Sequence, residues 1–475
     1  MAVEPSKYSL KGLSDNGQID DLLKGQSDEE SRRRLQVLIF EWLRMENLVV
    51  LTGAGCSIAC GGKPMGGSDS LEKAVLEAVN AISTLPIGAK KIIAERLKPI
   101  DETKNYAKTS FEEWLSYLVN STYLGTEPKS PIRSLIWKHE SVDLGQGEGT
   151  QGDSSIDIAH VELLIDYVAK AIYAECALIL PDNTASSKGE KEIAPHLAFL
   201  SKLIVRDSNL GRTHLFTLNY DTLFEQALEL LGIQYFDGFT GRANARFDPS
   251  VYGLDIHYPG EVTEGRVRRF DKFLHYYKLH GSIHWKVVNE ELRARHDDIS
   301  QFSDYRSKTP ADKAQSLIKK NFTHNHREFS ILPTSNKFVQ TLGMPYSHLF
   351  RAFHARLSIP QTFLLVIGYG FGDDHVTKII ETALMNPALI MLVVDPNPAS
   401  LTVNRILEYK DLGKRAFILT PTKEEFKKEE FKFATFDDFA KFVMPNVQWL
   451  DDFLRLRRFE KQLQTSFDNQ NSEKS

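Results

Sequence analysis

Three polar residues with the chemistry of a proton-transfer centre follow apolar segments of this 475-residue chain. Asn219 and Asp221 come after the apolar run 214–218, and His280 comes directly after the run 273–279. A histidine can accept a proton near neutral pH, while asparagine and aspartate can hold a water or a sugar hydroxyl. The structural alternative is that Asn219 and Asp221 start a helix and that His280 bonds a backbone carbonyl.

A glycine-rich segment follows the first strongly apolar run, and its residues suit the binding of a phosphate group. The run 48–51 leads into GAGCS at 53–57. Gly53 and Gly55 lack the Cβ atoms that would block a pyrophosphate, Ser57 adds a hydroxyl, and we expect backbone N–H groups to supply most of the donors. A tight strand-to-helix turn needs the same residues, so this segment alone does not distinguish phosphate binding from a turn.

The cysteines exclude two classes of structure. Only Cys56, Cys60 and Cys176 occur, and none forms a CxxC pair, so neither a four-cysteine zinc module nor a disulfide framework can form. Cys56 and Cys60 are candidates for reactive thiols near a helix N-terminus, although small residues there more often fit a turn. We predict no metal site, because no carboxylate–histidine pattern completes the two closely spaced histidine pairs, His280 with His284 and His324 with His326.

Composition excludes further function classes. The chain is 42% hydrophobic and 25% charged with a net charge of −5, which is typical of a soluble globular protein without a basic surface for direct nucleic-acid binding. The N-terminal residues lack an apolar signal core, and no run reaches membrane-spanning length. We therefore expect a cytoplasmic protein with no membrane contact.

The hydrophobic pattern predicts an α/β fold with a doubly wound, mostly parallel, Rossmann-like sheet and a large helical insertion. Short apolar runs predict six further strands, and helical periods fall between them. We divide the chain into an N-terminal arm and helix (1–45), a main domain (46–420) with the insertion at about 66–205, and a helical C-terminal tail (421–475). The predicted strands are 214–218, 273–279, 329–332, 362–367, 389–394 and 416–419.

Ligands of doubly wound sheets bind at the carboxyl ends of the strands, so the residues after each strand are the candidate site. Beyond those above, Pro333 and Lys337 follow 329–332, Gly368 and Tyr369 follow 362–367, and Asp395 follows 389–394. Polar and glycine-rich residues therefore recur at one predicted edge.

These motifs, in this order, resemble the sirtuin fold, and more specifically its bacterial sirtuin-like branch. The resemblance covers roughly residues 46–400. It rests on T-G-A-G-C-S (52–57) with G-x-x-P (61–64), T-L-N-Y-D (217–221), K-L-H-G (278–281), G-Y-G-F-x-D-D (368–374) and V-D-P (394–396).

Two departures from protein-deacylating sirtuins favour a different activity. The chain cannot build their zinc module, and its helical insertion and the tyrosine of T-L-N-Y-D resemble defence-associated, NAD-hydrolysing members of Thoeris, HerA-associated and Argonaute-associated type. The resemblance implies hydrolysis of NAD to nicotinamide and ADP-ribose during antiphage defence. It further implies a homo-oligomer or a HerA-type ATPase partner that restrains the activity.

The resemblance also gives the residues their expected roles. His280 would be the general base or would polarise a ribose hydroxyl, Asn219 would position water and ribose, and Asp221 would fix the ribose or the asparagine loop. NAD is then a substrate and no separate cofactor is expected. The remaining NAD-binding residues are Gly53, Ala54, Gly55, Ser57, Pro64, Gly368, Tyr369 and Asp395. The alternatives are a catalytically silent NAD-binding assembly subunit and a zinc-free deacylase or ADP-ribosyl transferase.

Overall fold

The computed structural model describes residues 4–13, 19–65, 69–98, 110–126, 158–181, 193–207, 209–258, 269–289, 291–296, 298–319, 344–399, 415–427 and 433–446. The strands in these residues are β1 (Tyr8–Leu13), β2 (Ile19–Asp21), β3 (Asn47–Thr52), β4 (Thr213–Thr217), β5 (Gln234–Phe236), β6 (Phe239–Thr240), β7 (Arg246–Phe247), β8 (Phe273–Lys278), β9 (Trp285–Val288), β10 (Glu291–Ala294), β11 (Thr362–Ile367), β12 (Leu389–Val394) and β13 (Ala416–Pro421). The helices are α1 (Asp28–Leu43), α2 (Leu71–Asn80), α3 (Ile87–Leu97), α4 (Phe111–Thr126), α5 (Ile158–Cys176), α6 (Pro195–Leu203), α7 (Leu223–Leu230), α8 (Pro310–Ile318), α9 (Tyr346–Leu357), α10 (Asp374–Ala383), α11 (Lys423–Phe426) and α12 (Phe436–Asp438).

The main sheet has nine strands in the order β2-β1-β13-β12-β11-β3-β4-β8-β5. The seven strands from β13 to β5 run parallel, and β1 and β2 add an antiparallel edge. From β3 the chain extends the sheet first through β4 and β8 and later, on the other side, through β11 and β12. The order therefore reverses between β3 and β11, which is where such sheets bind ligands.

Helices cover both faces of this sheet, as short apolar strand sequences predict. On one face, α1, α6 and α7 pack over side chains such as Leu48 and Val50. On the other, α9 and α10 pack over Val49 and Leu51. The predicted mixed α/β fold with a large, mostly parallel, Rossmann-like sheet is confirmed.

A second core lies among helices that precede β4. α2, α3, α4 and α5 bury their apolar sides against one another, together with Phe302, Tyr305 and α8. The described helices within 66–205 thus belong to two cores, because α6 packs on the sheet instead. We call the group of α2 to α5 and α8 the helical unit. No described helix is both long and apolar enough to cross a bilayer.

Two segments are more ordered than their polar sequences predict. The acidic N-terminal arm supplies β1, which pairs antiparallel with β13, and β2. Its buried Tyr8 donates a hydrogen bond to the Asp438 carboxylate at 3.0 Å, so the arm is tied to the C-terminal segment. The polar stretch after β8 contributes the β9–β10 hairpin, and residues 299–318 enter the helical unit.

The C-terminal phenylalanines divide between core and surface. Phe436 and Phe439 are buried beside α6 and α7, whereas Phe426 and Phe442 are exposed. Several predictions fall outside the described residues. These are the strand 329–332 with Pro333 and Lys337, the histidine pair His324 and His326, and the tail beyond 446.

Candidate functional site

The sheet register brings the predicted site residues to one edge. Thr52 pairs with Thr217 on one side and with Ile367 on the other, Thr217 pairs with Lys278, and Ile367 pairs with Val394. Each strand therefore ends at the same level. The residues that follow these strand ends are Gly53, Asn219, His280, Gly368 and Asp395.

The glycine loop packs tightly against the loop after β11. A Cβ on Gly53 would lie 2.6 Å from the Gly368 carbonyl oxygen, and a Cβ on Gly55 would lie 2.7 Å from the Gly368 Cα. Gly368 itself has φ +68°, a conformation that L side chains rarely adopt. The three glycines are therefore required first for the contact between the two loops.

The same contact changes the expected supply of phosphate donors. The N–H of Gly53 donates to the Ile367 carbonyl at 3.1 Å, and that of Gly55 donates to the Gly368 carbonyl at 2.8 Å. The N–H groups of Cys56 and Ser57 close short-range turns. These four amides are thus engaged within the protein, and the expectation that the loop amides supply most of the donors does not hold for them in this conformation.

Ser57 joins the glycine loop to the loop after β4. The Asn219 Nδ2 donates to Ser57 Oγ at 2.8 Å, and the Ser57 hydroxyl donates to Asp221 Oδ2 at 2.5 Å. The other Asp221 oxygen accepts from the N–H of Leu223 at 3.1 Å. All three side chains are buried. Asp221 therefore orients Ser57 and the start of α7, which combines the predicted functional role with the helix-start alternative.

A buried lysine, Lys278, holds the loop that carries Asp221. Lys278 Nζ donates to the Asp221 carbonyl and pairs with Glu225 Oε1 at 2.8 Å. Tyr276 donates to the other Glu225 oxygen at 2.9 Å. The pKa of Asp221 is raised above its ordinary value, because the effect of burial outweighs the nearby Lys278 charge and the Ser57 hydrogen bond, which both lower it. Lys278 belongs to the K-L-H-G motif, but no sequence pattern shows which buried carboxylate it meets.

Tyr220 connects the site to the helical unit. It lies between Asn219 and Asp221 in the chain, and its side chain is buried in the core of the helical unit with Ile283. The Ile283 N–H donates to the Tyr220 carbonyl at 3.0 Å. Tyr220 therefore fixes the loop that carries Asn219 and Asp221 against the turn that carries His280.

His280 lies in a buried aromatic setting at the end of β8. Its ring centroid is 6.5 Å from that of Tyr220, 6.4 Å from that of Phe350 and 5.5 Å from that of His375. Gly281 follows with φ +94°, so the chain turns sharply after the histidine. The His280 side chain is thereby held where the ends of β4 and β8 meet the start of α10.

The remaining predicted NAD-binding residues differ in their exposure to solvent. Tyr369 is buried, and its hydroxyl accepts from the Asp373 N–H at 3.3 Å and lies 3.2 Å from Thr377 Oγ1. Asp395 is buried, and its Oδ1 accepts from the Asn397 N–H at 2.8 Å. Ala54 and Pro64 are exposed. Tyr369 and Asp395 thus help to shape their own loops at the candidate edge.

The two loop cysteines are buried rather than reactive. Burial raises the pKa of Cys56 well above its ordinary value and raises that of Cys60 to about 12. Cys56 Sγ lies 3.5 Å from the Ile367 carbonyl oxygen, and Cys60 Sγ lies 3.6 Å from His196 Nδ1. These thiols fit the turn, which was the structural alternative.

One group of side chains comes together only in the folded chain. His280, Asp373 and His375 offer ligand atoms that all lie within 4.8 Å of one another. His280 and His375 are far apart in the chain, and sequence spacing indicates metal pairs only between near neighbours. The pairing of β8 with the sheet and the start of α10 bring them together.

Comparison with known proteins bears on the part of the chain that begins at β4. Residues 213–412 match the model of the SIR2-like domain, while the glycine loop lies before the matched segment. No curated protein matches the chain. The matched segment, together with the parallel sheet and its switch point, supports a sirtuin-like protein whose SIR2-like domain suggests NAD-related activity.

Proposed function

We propose that this chain hydrolyses NAD to nicotinamide and ADP-ribose, with Asn219, Asp221 and His280 at the reacting end of the molecule. The observation that supports this proposal is the buried hydrogen-bonded chain from Asn219 through Ser57 to Asp221, next to His280 at the carboxyl edge of the sheet. The SIR2-like match over residues 213–412 supports the use of NAD.

The reaction needs few groups. Breaking the bond between nicotinamide and ribose passes through an oxocarbenium-like state, as in glycoside hydrolysis. The nicotinamide is already cationic, so its departure needs no strong acid. The protein has to hold the ribose, place a water on its anomeric carbon and accept a proton from that water. A histidine and an amide suffice for these tasks.

Asn219 is suited to orient the water or a ribose hydroxyl. Its Nδ2 is committed to Ser57 Oγ, which fixes the rotation of the amide. The amide then has Oδ1 as its acceptor for an O–H group of the substrate or the water. Pre-orientation of this kind lowers the entropic part of the barrier, because the acceptor need not be ordered during the reaction.

In this proposal His280 accepts the proton of the attacking water, and Asp221 positions the groups around it. Asp221 directs both carboxylate oxygens to groups of the protein, Ser57 and the Leu223 N–H, so it acts on the substrate through Asn219. His280 is the remaining member of the predicted set that can accept a proton near neutral pH. Lys278 pairs with Thr217 in the β4–β8 register. His280 and Asn219 each come two residues after these partners, so they follow the ends of neighbouring strands at the same level.

We assign the pyrophosphate and adenosine ends of NAD to the loops at the switch point. Ala54, Gly55 and Ser57 would face the pyrophosphate, with Gly53 and Gly368 keeping the two loops in contact. Tyr369 and Asp395 would border the adenosine side, and Pro64 would border the loop exit. Because four loop amides and the Ser57 hydroxyl proton are engaged within the protein, the Ala54 segment bears more of the binding than a simple amide cradle predicts.

For the biological role, we propose that the chain is an NAD-depleting effector of antiphage defence. Restraint by a homo-oligomer or by a HerA-type ATPase partner would protect the uninfected cell. The sequence resemblance supports this role. The acidic net charge of −5 agrees with a partner protein rather than nucleic acid as the direct contact.

The first prediction concerns turnover. Purified protein, alone and together with the product of the neighbouring gene, should convert NAD to nicotinamide and ADP-ribose, measured by chromatography. Asn219→Ala and His280→Ala should each lower kcat by at least about 10²-fold, the range expected for loss of a proton-transfer or orienting group. The exposed residues Asn209 and His354 provide matched controls as Asn209→Ala and His354→Ala, which should retain turnover.

Two results would overturn the proposal. Absence of NAD turnover under both conditions would leave an NAD-binding assembly subunit as the better description. Nicotinamide release that requires an acylated peptide would instead show a deacylase. Unchanged turnover in Asn219→Ala would refute the site while keeping the activity.

A further inference from the structure

We propose that His280, Asp373 and His375 form a binding site for one divalent transition-metal ion, and that occupation of this site switches off the reaction centre. The binding part stands on the geometry of the three side chains. The regulatory part rests on the proposed function, because it requires His280 to act in NAD hydrolysis.

The spacing of the donor atoms suits a single ion after a small adjustment. The imidazole nitrogens and the carboxylate oxygen all lie within 4.8 Å of one another. Ligands at about 2.0–2.2 Å around a tetrahedral zinc ion lie roughly 3.3 Å apart. Side-chain rotations that bring the atoms closer by up to about 1.5 Å therefore complete the site.

Two of the ligands are placed by the start of α10. Asp373 is the residue before the first turn of this helix, and its carboxylate makes no capping hydrogen bond to the helix. An aspartate in that position ordinarily accepts from the second or third helical N–H. Here the carboxylate instead lies near His280 and His375.

The start of α10 is itself held in place. The Tyr369 hydroxyl accepts from the Asp373 N–H and lies 3.1 Å from the Asp373 carbonyl oxygen. Thr377, one turn into the helix, contacts the same hydroxyl. His375 also packs edge-on against Phe350, with ring centroids 5.0 Å apart. Rigid supporting groups favour metal binding, because less order has to be imposed when the ion arrives.

The donor set selects the class of ion. Two imidazoles and one carboxylate suit zinc and other first-row transition metals, whereas magnesium and calcium prefer oxygen ligands. Three protein ligands leave one coordination position for water or an anion. His280 is buried while Asp373 and His375 are half-buried, so an ion can reach the site from the solvent side of α10.

Metal binding and catalysis would compete for the same atom. A metal bound to an imidazole nitrogen occupies the lone pair that would otherwise accept a proton. With His280 as a ligand, the centre would lose its base while Asn219 and Ser57 remained in place. The ion would therefore act as a reversible inhibitor of turnover.

A second histidine pair provides the control. His284 and His296 lie with their Nδ1 atoms 3.3 Å apart, and His296 is exposed. This pair offers two imidazoles without the Asp373 carboxylate. His296→Ala therefore removes a rival metal contact and leaves the proposed site intact.

The test measures binding of Zn²⁺ and Co²⁺ to the full-length chain by equilibrium dialysis with elemental analysis. Wild type and His296→Ala should bind one equivalent in the tight phase, and His375→Ala and Asp373→Asn should bind it at least about tenfold more weakly. Co²⁺ should produce visible absorption bands in the first two proteins and not in the others. Mg²⁺ should not compete.

Several outcomes would overturn the binding proposal. These are equal affinity in all four proteins, loss of tight binding in His296→Ala alone, or displacement of Zn²⁺ by Mg²⁺. Asp373→Asn is nearly isosteric and keeps the start of α10, so it keeps the test valid if His375→Ala fails to fold. A Zn²⁺-induced rise in Tm of wild type that is absent in Asp373→Asn would support the site independently.

The regulatory part is tested by NAD turnover with and without Zn²⁺. Wild type should lose activity when Zn²⁺ is added and regain it with a chelator. The ratio of turnover without Zn²⁺ to turnover with Zn²⁺ should be at least about tenfold smaller for Asp373→Asn than for wild type. Tight Zn²⁺ binding without inhibition would refute the regulatory part. Zn²⁺ binding in a chain that never turns over NAD would refute the proposed function and leave the metal site standing.

Discussion

At the scale of the residue, Ser57 is the member of the site with the most consequences for its neighbours. It receives a hydrogen bond from Asn219 and donates one to Asp221, and both partners are buried. Its place in a glycine-rich loop predicts a role at the pyrophosphate. Its partners lie more than 160 residues away in the chain, so the sequence could not show this second role.

Ser57→Ala should lower NAD turnover through Asn219. The substitution removes a partner from the Asn219 amide and from the Asp221 carboxylate, which costs about 1–3 kcal/mol for a buried polar group. In a double-mutant cycle, Ser57→Ala combined with Asn219→Ala should be no slower than Asn219→Ala alone. Ser358→Ala, whose hydroxyl only donates to the His354 carbonyl on the surface, is the control. Additive losses in the double mutant would show that Ser57 contributes independently of Asn219.

At the scale of the element, the two loops at the switch point behave as one structural unit. Gly53, Gly55 and Gly368 remove Cβ atoms from a contact between backbones that are 2.6–2.7 Å from the missing carbons. The strands β3 and β11 that carry these loops pair in parallel along their whole length. The precision of the site therefore depends on the match between two strand ends that are distant in sequence.

Gly368→Ala should destabilise the protein by roughly 1–3 kcal/mol, because an alanine at φ +68° is strained and its Cβ would meet the Cys56 N–H group at 2.7 Å. Gly370→Ala is the matched control, since this glycine is two residues on, is exposed and has open space around it. Urea unfolding gives both free energies. Equal free energies for the two variants would contradict the tight-contact interpretation.

Periodicity predicted the regular elements better than the polar segments. β11 and β12 have the predicted bounds, because each is a continuous apolar run with clear ends. The sequence does not indicate β1, since YSLKGL is short and its pairing partner β13 is about 400 residues away. The Asn219 and His280 edge was predictable from strand ends, whereas the contribution of His375 depended on a contact between distant segments.

At the scale of the whole molecule, buried histidines link folding to pH. Burial lowers the pKa of His196 to about 3 and that of His275 to about 4, and it lowers the pKa of His214 as well. In the unfolded chain these groups titrate near 6.5. Below that pH the unfolded state takes up protons that the folded state excludes. Stability is therefore present above about pH 6.5 and is lost as the pH falls toward the folded values.

His196→Leu should reduce this pH dependence. Each buried histidine contributes a slope of up to about 1.4 kcal/mol per pH unit below pH 6.5, so the variant should show a shallower loss of unfolding free energy between pH 6.5 and 5. His196 packs between Phe224 and Phe436, which suits a leucine. An identical slope in His196→Leu and wild type would show that the histidine charges without unfolding.

The burial of Tyr220 has a consequence for how the molecule can be divided. Its ring belongs to the core of the helical unit, while its neighbours Asn219 and Asp221 belong to the edge of the sheet. Two cores thus share one short peptide. A chain trimmed of α2 to α5 would expose that ring and release the peptide from one of its two anchors. The helices are for this reason part of the apparatus that holds the site, and the sheet alone is not a transplantable module.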